Sequence, residues 1–243
     1  MEEEPKGQIV AMGGGGFLME PDNPLLDDFV LSLSPKKMPK VCFVPTAAAD
    51  SATILVHFYR NFSGRAVATD LTIYDPSTVP RRPSHTNMIE DYIAEQDIIY
   101  VSGGNTVNML AIWRAHGIDK ILRKAWQEGK ILCGVSAGML CWFQGGVTDS
   151  FGDADVLHDG LGFIGASACP HFDGEEKRRP AYHQFIKEGL PAGYAADDGA
   201  ALHFLGTKLV EAISSRQNAS AYFVEKDQSG ETTEKKISTR FLG

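Results

Sequence analysis

The sequence predicts an α/β protein built on a mostly parallel sheet, and the distribution of apolar residues is the reason. Short apolar runs alternate with longer amphipathic stretches, a pattern typical of strand–helix–strand units. The runs around Val41, Ile98 and Ile131 are almost continuously apolar, as expected of strands that helices cover on both faces. The 243 residues show no linker, repeat or low-complexity tract, so we expect one domain over residues 1–243, with 1–6 as a flexible tail.

The individual elements follow from the spacing of apolar side chains. In the stretch 51–62, Ile54, Leu55 and Phe58 share one helical face, and the stretch 118–128 carries charges opposite its apolar face. The strands predicted up to residue 135 are 8–12, 41–45, 66–74, 97–102 and 131–135. Beyond it we predict a short helix at 137–143, an irregular acidic stretch at 148–162, a strand at 166–169, a helix at 180–188, and short strands near Tyr194, Leu202 and Leu209. A closing hairpin pairs 221–224 with 236–239 around Gln228-Ser229-Gly230.

Composition and charge argue against several classes of function. The net charge is −8 at pH 7, and the basic residues are scattered rather than gathered into the patch that nucleic acids or anionic membranes require. The four cysteines form no C-x-x-C pair, and neither they nor the histidines show metal-ligand spacing, so we expect free thiols and no metal. The N-terminus lacks a secretory pattern, and no apolar run reaches the ~18–20 residues of a membrane span. We therefore expect a cytoplasmic protein.

The segment Gly134-Val135-Ser136-Ala137-Gly138 follows an apolar strand and opens a helix. A G-x-S-x-G turn in that context is what a nucleophile elbow requires, because small residues allow the tight turn that exposes the serine. The start of a helix also favours a developing negative charge. The alternative interpretation is an ordinary strand–helix connection with a serine cap. The surrounding strand and helix favour the nucleophile.

A nucleophilic serine needs a base, and the base needs an orienting acid. Among the seven histidines, His171 follows a short apolar run and should lie at the carboxyl end of a strand, where open α/β sheets build their sites. His158, in the acidic stretch, is the second choice. Candidate acids are Asp197 and Asp198, for which a turn-forming Asp-Gly remains the simpler interpretation.

Two glycine-rich turns also follow predicted strands. Ser102-Gly103-Gly104-Asn105-Thr106 opens a helix and could cradle a phosphate or supply an oxyanion donor, but it lacks the lysine of a Walker A loop. The run Gly13-Gly14-Gly15-Gly16 lacks the acidic residue of a dinucleotide site, so we interpret it as a packing turn.

Taken together, these motifs resemble the peptidase E family of serine dipeptidases, which cleave after an N-terminal aspartate, and their cyanophycinase relatives. The resemblance covers most of the chain and depends on three motifs in order: Val101-Ser102-Gly103-Gly104-Asn105-Thr106, then Gly134-Val135-Ser136-Ala137-Gly138, then Pro170-His171-Phe172. It implies a three-layer α/β/α fold similar to that of class I glutamine amidotransferases, with a twisted, mostly parallel sheet.

The resemblance also implies a set of catalytic residues. Ser136 matches the family's nucleophile and His171 its general base. The family's third member is a glutamate followed by glycine, and Asp198-Gly199 takes that position here with a side chain one methylene shorter, unless Asp197 serves instead. Neighbouring side chains of a strand point to opposite faces, so only one aspartate can reach the imidazole, and we predict Asp198.

Further roles are implied around this triad. The backbone N–H groups of Gly104 and Ala137 match the family's oxyanion donors. Asp149 matches an aspartate near the family's active site, although the loop length differs. Arg178 and Arg179 lie where the family places an arginine for the substrate's β-carboxylate, and surface salt-bridging is an equal alternative for both.

The resemblance implies a serine exopeptidase that hydrolyses dipeptides or short peptides through an acyl-enzyme, favours N-terminal Asp and uses no cofactor. The alternatives are a related hydrolase with another specificity, such as a cyanophycinase-like enzyme, or a non-catalytic relative that binds small molecules. We expect a small peptide as the partner, and neither a nucleic acid nor a membrane. The sequence leaves monomer and homodimer open.

Overall fold

A computed structural model of the protein describes residues 6–74 and 86–243, and the side chains of 86 and 87 are also outside it. The predicted flexible tail at 1–6 lies outside the described residues except for Lys6, whose backbone N–H donates to the Gln127 carbonyl over 3.5 Å. The elements, in chain order, are β1 (Gln8–Met12), α1 (Gly16–Met19), α2 (Leu25–Ser32), β2 (Lys40–Val44), α3 (Ala52–Phe62), β3 (Val67–Asp70), α4 (Thr86–Ala94), β4 (Ile98–Val101), α5 (Thr106–His116), α6 (Ile118–Gln127), β5 (Ile131–Val135), α7 (Ala137–Leu140), β6 (Phe143–Thr148), β7 (Asp155–Leu157), β8 (Ile164–Cys169), α8 (Arg178–Glu188), β9 (Gly193–Ala196), β10 (Ala200–Leu205), β11 (Lys208–Ser214), β12 (Ala221–Lys226), β13 (Thr232–Ile237) and β14 (Thr239–Phe241).

The larger sheet has eight strands in the order β14-β11-β10-β1-β5-β4-β2-β3. Strands β1 to β5 are parallel to one another, whereas β10 pairs antiparallel with β1 and β11 antiparallel with β10. Because β1, β5 and β4 are adjacent and parallel, their carboxyl ends Met12, Val135 and Val101 meet at one edge of the sheet. Ligand sites of open α/β sheets are built at this edge.

Helices cover both faces of this sheet, because successive side chains of its buried strands point to opposite sides. In β1, Ile9 belongs to a buried cluster that includes Trp113 of α5 and Leu122 of α6. Its neighbour Val10 belongs to a second cluster that includes Phe17 of α1 and Phe58 of α3. These two clusters give the three-layer α/β/α arrangement that the resemblance implied.

A second sheet of six strands, in the order β13-β12-β9-β8-β6-β7, was not predicted. Its strands β6, β8 and β9 are parallel, and α8 packs on it through Tyr182 and Ile186 against Phe172 and Val224. The predicted hairpin is present in this sheet as β12 paired with β13, with Gly230 in the left-handed region at φ 86°. The bounds of its second strand were wrong, since β13 spans Thr232–Ile237 and Thr239 begins β14 of the larger sheet.

Several predicted boundaries were wrong for identifiable reasons. The strand predicted at 66–74 ends at Asp70, because the Asp50 carboxylate takes hydrogen bonds from the backbone N–H groups of Ile73 and Tyr74 and keeps them out of a ladder. The helix predicted at 137–143 ends at Leu140 since β6 begins at Phe143.

Two further boundaries differ downstream. The stretch predicted to be irregular at 148–162 contains β7, paired antiparallel with β6. The helix predicted at 180–188 starts two residues earlier at Arg178, because the first turn of a helix tolerates Pro180 without an N–H. None of the helices in the described part of the chain is both long and apolar enough to cross a membrane.

Candidate active site

Ser136 lies between β5 and α7 with a positive φ, at φ 58° and ψ −111°. The turn requires its two glycines, because neighbouring backbone leaves no room for a side chain at either position. A Cβ on Gly134 would lie 2.6 Å from the Gly138 carbonyl oxygen, and one on Gly138 would lie 2.4 Å from the Val101 carbonyl oxygen. An L-residue held at positive φ is a sparsely populated conformation that the surrounding structure must impose. The predicted elbow geometry is therefore present at Ser136.

The end of β1 joins three segments that are distant in sequence. The Met12 carbonyl accepts a hydrogen bond from the Ser136 N–H (3.0 Å), and the next carbonyl, that of Gly13, accepts one from the His171 N–H (3.3 Å). The Gly14 carbonyl accepts one from the Gly199 N–H (3.0 Å), and Gly14 forms an isolated parallel bridge with Asp198. Three consecutive peptide groups thus hold the three chain segments that carry the predicted triad.

His171 and Asp198 form a short hydrogen bond. His171 Nδ1 lies 2.6 Å from Asp198 Oδ1, and both side chains are mostly buried, with 12% and 15% exposed. The hydrogen bond from His171 lowers the pKa of Asp198 against the opposing effect of burial, so the carboxylate is ionised at neutral pH. An ionised carboxylate accepts the Nδ1 proton, which fixes the tautomer that leaves Nε2 with a free lone pair.

Glycines enclose the Asp198 carboxylate. A Cβ on Gly14 would lie 2.0 Å from Asp198 Oδ1 and 3.1 Å from His171 Nδ1. A Cβ on Gly174 would lie 2.4 Å from Asp198 Oδ2. The glycine run at 13–16 is a packing turn, as predicted, and what packs against it is the His171–Asp198 pair.

Asp197 faces the other way. Its Oδ2 accepts a hydrogen bond from the Ser220 N–H (2.9 Å), and burial, reinforced by the charge of Asp173, raises the pKa of Asp197 to about 6. Both aspartates lie in the connection between β9 and β10 rather than within a strand, so the strand argument for opposite directions was wrong in its premise. The contact with His171 nevertheless belongs to Asp198.

The two predicted oxyanion donors flank the Ser136 turn. Gly104 has φ 134°, and a Cβ there would lie 2.1 Å from the Ala47 carbonyl oxygen, so only glycine fits. Its neighbour Gly103 lies beside the Ser136 turn, since a Cβ on Gly103 would lie 3.4 Å from the Ser136 Cβ. Ala137 is the first residue of α7, whose early N–H groups have no intrahelical acceptor. Within the described residues, neither the Gly104 nor the Ala137 N–H has a hydrogen-bond acceptor.

Comparison with known proteins identifies the family. The family model described as "Peptidase family S51" matches residues 9–212. The chain belongs to peptidase family S51. It is also 47% identical over 238 residues to a protein of Bacillus subtilis (strain 168) called "Uncharacterized peptidase YgaJ", with 97% of this chain and 99% of that protein covered. The protein is therefore a peptidase, a hydrolase of a serine peptidase family.

Two solved structures share the fold of this S51 peptidase. The crystal structure of a peptidase from an acI-B1 Actinobacterium is 16% identical, with a TM-score of 0.71 and coverage of 97% of this chain and 96% of that one. A putative peptidase E protein from Listeria monocytogenes EGD-e is 17% identical, with a TM-score of 0.56 and coverage of 96% and 99%.

The two arginines proposed for substrate binding have different environments. Arg178 is buried: it pairs with Glu175, lies 3.2 Å from Asp149 Oδ2, and donates to the Val147 carbonyl over 3.1 Å. Arg179 is half-exposed, with 47% of its side chain accessible. Its guanidinium pairs with Glu234 and lies over the ring of Phe172, 5.0 Å from the centroid. Arg179, and not Arg178, therefore lies at the surface, beside Phe172, which directly follows His171.

The second-choice base and the cysteines lie apart from this site. His158 is exposed and lines a surface cleft with Val156 and Phe185. The four cysteines are buried and form no disulfide, and burial holds the pKa of Cys133 and of Cys141 well above the ordinary range, which removes those two as thiolate nucleophiles. No cluster of His, Cys, Asp or Glu that could hold a metal occurs among the described residues.

Three supporting residues of this S51 peptidase were not predicted. Asp173 Oδ1 accepts a hydrogen bond from the Asp198 N–H (2.7 Å) and so helps to position Asp198. Asn105 caps α5 by accepting from the Asn108 N–H (2.9 Å), and its Nδ2 donates to the Ser150 carbonyl (3.0 Å). Asn105 could have been found from the sequence, because an asparagine after a glycine turn and before a helix is a typical N-cap. The role of Gly14 gives no such signal, since it depends on a contact with a residue far along the chain.

Proposed function

We propose that this S51 peptidase hydrolyses dipeptides or short peptides through an acyl-enzyme on Ser136, with a preference for an N-terminal aspartate. The observation that carries the proposal is the 2.6 Å hydrogen bond between His171 and Asp198, held beside the Ser136 elbow by consecutive peptide groups of Met12, Gly13 and Gly14. A nucleophile at an elbow, a histidine and a carboxylate that fixes its tautomer are the parts of a serine-hydrolase triad.

The reaction runs in two steps with one proton shuttle. His171 Nε2 takes the proton of the Ser136 hydroxyl as the oxygen attacks the scissile carbonyl, and the Gly104 and Ala137 N–H groups stabilise the oxyanion. His171 then gives the proton to the leaving amine, which departs and leaves the acyl group on Ser136. Water repeats the cycle: His171 takes its proton, the hydroxide attacks the ester, and the proton returns to Ser136 as the acid product leaves.

The aspartate preference is supported by the family resemblance and by one side chain. A substrate carboxylate needs a cation, and guanidinium groups bind carboxylates in a bidentate manner. Arg179 is the better candidate of the two arginines because it is half-exposed and stacks on Phe172. Its present partner Glu234 would have to be displaced or share the guanidinium.

The test is a panel of X-Leu dipeptides with X varied, assayed with purified wild type and with Asp198→Asn and Asp197→Asn. Replacing the orienting acid of a serine protease by its amide costs about 10⁴ in kcat. We expect hydrolysis that is fastest for Asp-Leu, loss of activity in Asp198→Asn, and near-normal activity in Asp197→Asn. A crippled Asp197→Asn with a normal Asp198→Asn would refute the triad, and a flat response to X would refute the aspartate preference alone. Asp-Leu with a β-linked peptide bond belongs in the panel, because its preferred cleavage would indicate the cyanophycinase-like alternative.

A cytoplasmic location completes the proposal. The four cysteines are buried and form no disulfide, which suits a reducing compartment.

A further inference from the structure

The side chain of Arg216 lies beside the Asp198-Gly199 segment of the candidate site. A Cβ on Gly199 would lie 2.7 Å from Arg216 Cγ and 2.9 Å from Arg216 Cδ. Backbone hydrogen bonds fix this arrangement: the Ser215 N–H donates to the Gly199 carbonyl over 2.8 Å, and the Gly199 N–H donates to the Gly14 carbonyl over 3.0 Å. The aliphatic part of Arg216 therefore packs next to the residue that directly follows the proposed orienting acid.

Glu20 holds the guanidinium of Arg216. Glu20 Oε1 accepts a hydrogen bond from Arg216 Nε, and Glu20 Oε2 accepts one from the Ser215 hydroxyl over 2.7 Å. The Glu20 side chain is mostly buried, and a Cβ on Gly15 would lie 3.1 Å from Glu20 Oε2. The Glu20–Arg216 pair is therefore built against the same glycine run that holds the segments of the triad.

The charge of Arg216 acts on the proposed orienting acid. The pKa of Asp198 is lowered first by the hydrogen bond from His171 and, in addition, by the charge of Arg216. The effect is mutual, because the pKa of Arg216 is raised first by the hydrogen bond to Glu20 and then also by the charges of Asp198 and Asp173. The positive charge of Arg216 thus reaches Asp198 even though Arg216 is paired with Glu20.

Negative charge is concentrated beside His171. Asp198 Oδ1 lies 2.6 Å from His171 Nδ1, and Asp173 accepts a hydrogen bond from the Asp198 N–H over 2.7 Å. Burial and the charge of Asp173 raise the pKa of the next carboxyl, that of Asp197, to about 6. Charged groups that act on these aspartates from surrounding elements are Arg179, Lys236 and Arg216. Nearby carboxylates favour a protonated imidazole, which cannot accept the proton of a serine, and a cation beside the acid opposes that effect.

We propose that Arg216 is a positioning residue whose charge keeps Asp198 ionised and His171 unprotonated, so that His171 acts as a base down to lower pH. This inference rests on the proposed function. The competing role is structural, in which the pair with Glu20 only joins the 215–216 segment to the glycine run. The two roles differ in their pH dependence, because the effect of the charge disappears once His171 has lost its proton in every variant.

The test measures kcat/KM on one good dipeptide from pH 5 to pH 9 for wild type, Arg216→Gln and Arg216→Lys. Arg216→Gln removes the charge, whereas Arg216→Lys keeps the charge and loses the N–H that binds Glu20. The matched control is Arg114→Gln, since Arg114 is similarly exposed (40% against 44% for Arg216) and pairs with Asp159, but belongs to α5. Melting temperatures show whether each variant retains the fold.

A double variant covers the case in which Arg216→Gln does not fold. Arg216→Gln leaves the mostly buried Glu20 carboxylate without its cation, which destabilises a protein. Glu20→Gln/Arg216→Gln replaces both charges by amides and leaves no unpaired carboxylate. Its pH profile should move in the same direction as that of Arg216→Gln.

We expect Arg216→Gln to lower kcat/KM roughly threefold at pH 5, because partly exposed charge pairs change an equilibrium by about this factor. The acid limb of its pH profile should therefore move by about 0.5 unit to higher pH, since one unit is a tenfold change. At pH 9, where His171 is unprotonated in both proteins, Arg216→Gln should be no less active than wild type. Arg216→Lys and Arg114→Gln should follow the wild-type profile.

Three outcomes would overturn the inference. An equal loss at pH 5 and pH 9 in Arg216→Gln would assign Arg216 the structural role. An unchanged acid limb in the charge-removing variants would show that the charge does not act on the base. An acid limb that moves as far in Arg216→Lys as in Arg216→Gln would show that the hydrogen bond to Glu20, and not the charge, is responsible.

Labelling with a fluorophosphonate separates these failures from failure of the proposed function. A wild type that labels at Ser136 and hydrolyses dipeptides, with the wild-type pH profile retained in Arg216→Gln, refutes the role of Arg216 alone. A wild type that neither labels at Ser136 nor hydrolyses any dipeptide refutes the proposed function and, with it, this inference.

Discussion

Gly14 offers a direct test of the His171–Asp198 pair, because its alanine variant disturbs the pair without replacing any residue of the proposed triad. The added Cβ would lie 2.0 Å from Asp198 Oδ1 and 3.1 Å from His171 Nδ1. Ordinary van der Waals contacts of a Cβ lie at 3.4–4 Å, so the carboxylate must move by more than 1 Å. Gly14 is not among the described glycines with positive φ, so the cost is a contact and not backbone strain. A shift of that size breaks the 2.6 Å hydrogen bond.

The expected loss follows from what the carboxylate does. Without an acceptor at Nδ1 the imidazole adopts the wrong tautomer, and in serine proteases that costs about 10⁴ in kcat. We expect Gly14→Ala to lower kcat by roughly 10³ to 10⁴, which corresponds to about 4 to 5 kcal/mol at about 1.36 kcal/mol per tenfold change. Overpacking of this kind also costs roughly 1–3 kcal/mol of stability.

A double-variant comparison isolates the mechanism. In Asp198→Ala the carboxylate that the new Cβ strikes is absent, so adding Gly14→Ala should change kcat by no more than roughly threefold. The control is Gly165→Ala in β8, where an added Cβ meets no atom within 4 Å. The assay is kcat/KM on one good dipeptide for all four variants, with melting curves alongside. Activity of Gly14→Ala within tenfold of wild type, or independent losses that multiply in the double variant, would refute the reasoning.

The other predictions concern the proposed nucleophile, the buried ionisable groups of Asp27 and Arg178, and metal dependence. Ser136→Ala should lower kcat by roughly 10⁶, as removal of the nucleophile does in serine proteases, with an unchanged melting temperature; residual activity within tenfold of wild type would contradict it. Burial raises the pKa of Asp27 from 3.8 to about 7, despite the hydrogen bond that Asp27 accepts from Tyr100. Between about pH 4 and 7 the unfolded chain therefore loses a proton that the folded chain keeps. Because of this difference, the free energy of unfolding falls as pH rises through that range. Asp27→Asn should therefore gain stability relative to wild type between pH 5 and pH 8, by at most about 4 kcal/mol, and a difference independent of pH in melting curves would argue against this. Arg178→Met leaves the half-exposed carboxylates of Glu175 and Asp149 without their cation and the Val147 carbonyl without its donor, and it should cost roughly 1–3 kcal/mol in denaturant unfolding. A loss below roughly 0.5 kcal/mol, the scatter of surface substitutions, would show that these contacts are dispensable. Dialysis against EDTA should leave activity unchanged, and a loss that zinc restores would point to a metal site.

The central strands could be predicted because they are buried on both faces, so that consecutive residues in each strand are apolar. Strands β1 and β5 have the predicted bounds, and every residue of β5 is buried. The second sheet could not be predicted in the same way. Strand β6 contains Gly145-Gly146 and β7 begins at Asp155 in an acidic stretch, so local composition indicates loops. What makes them strands is pairing with each other and with β8, and such pairing overrides the weak local preference for strand.

The residues of the candidate site differ in the same way: some could be found from their sequence neighbours, and others depend on contacts between distant segments. Ser136 was identified from its own neighbours, because the glycines that its turn needs lie two residues away on either side. His171 was singled out by the apolar run before it, the choice of Asp198 over Asp197 depended on the resemblance, and the structure shows the contact between His171 and Asp198. The sequence around Asp173 and around Gly14 gives no sign of their roles, because each contacts Asp198 from a segment that is distant in sequence.

The placement of β1 therefore matters more to this site than any residue that β1 itself contributes. Ser136, His171 and the Asp198-Gly199 pair are each held through a backbone group of Met12, Gly13 or Gly14 in turn. Because these are successive peptide groups, a shift of β1 by one residue against β5 and β10 would move all three attachments together. Such a shift would also place Ile9 in the layer that Val10 occupies and Val10 in the layer of Ile9, so the packing of both helical layers opposes it. The apolar run of β1, which predicts a buried strand, therefore also positions the proposed nucleophile relative to its base and acid.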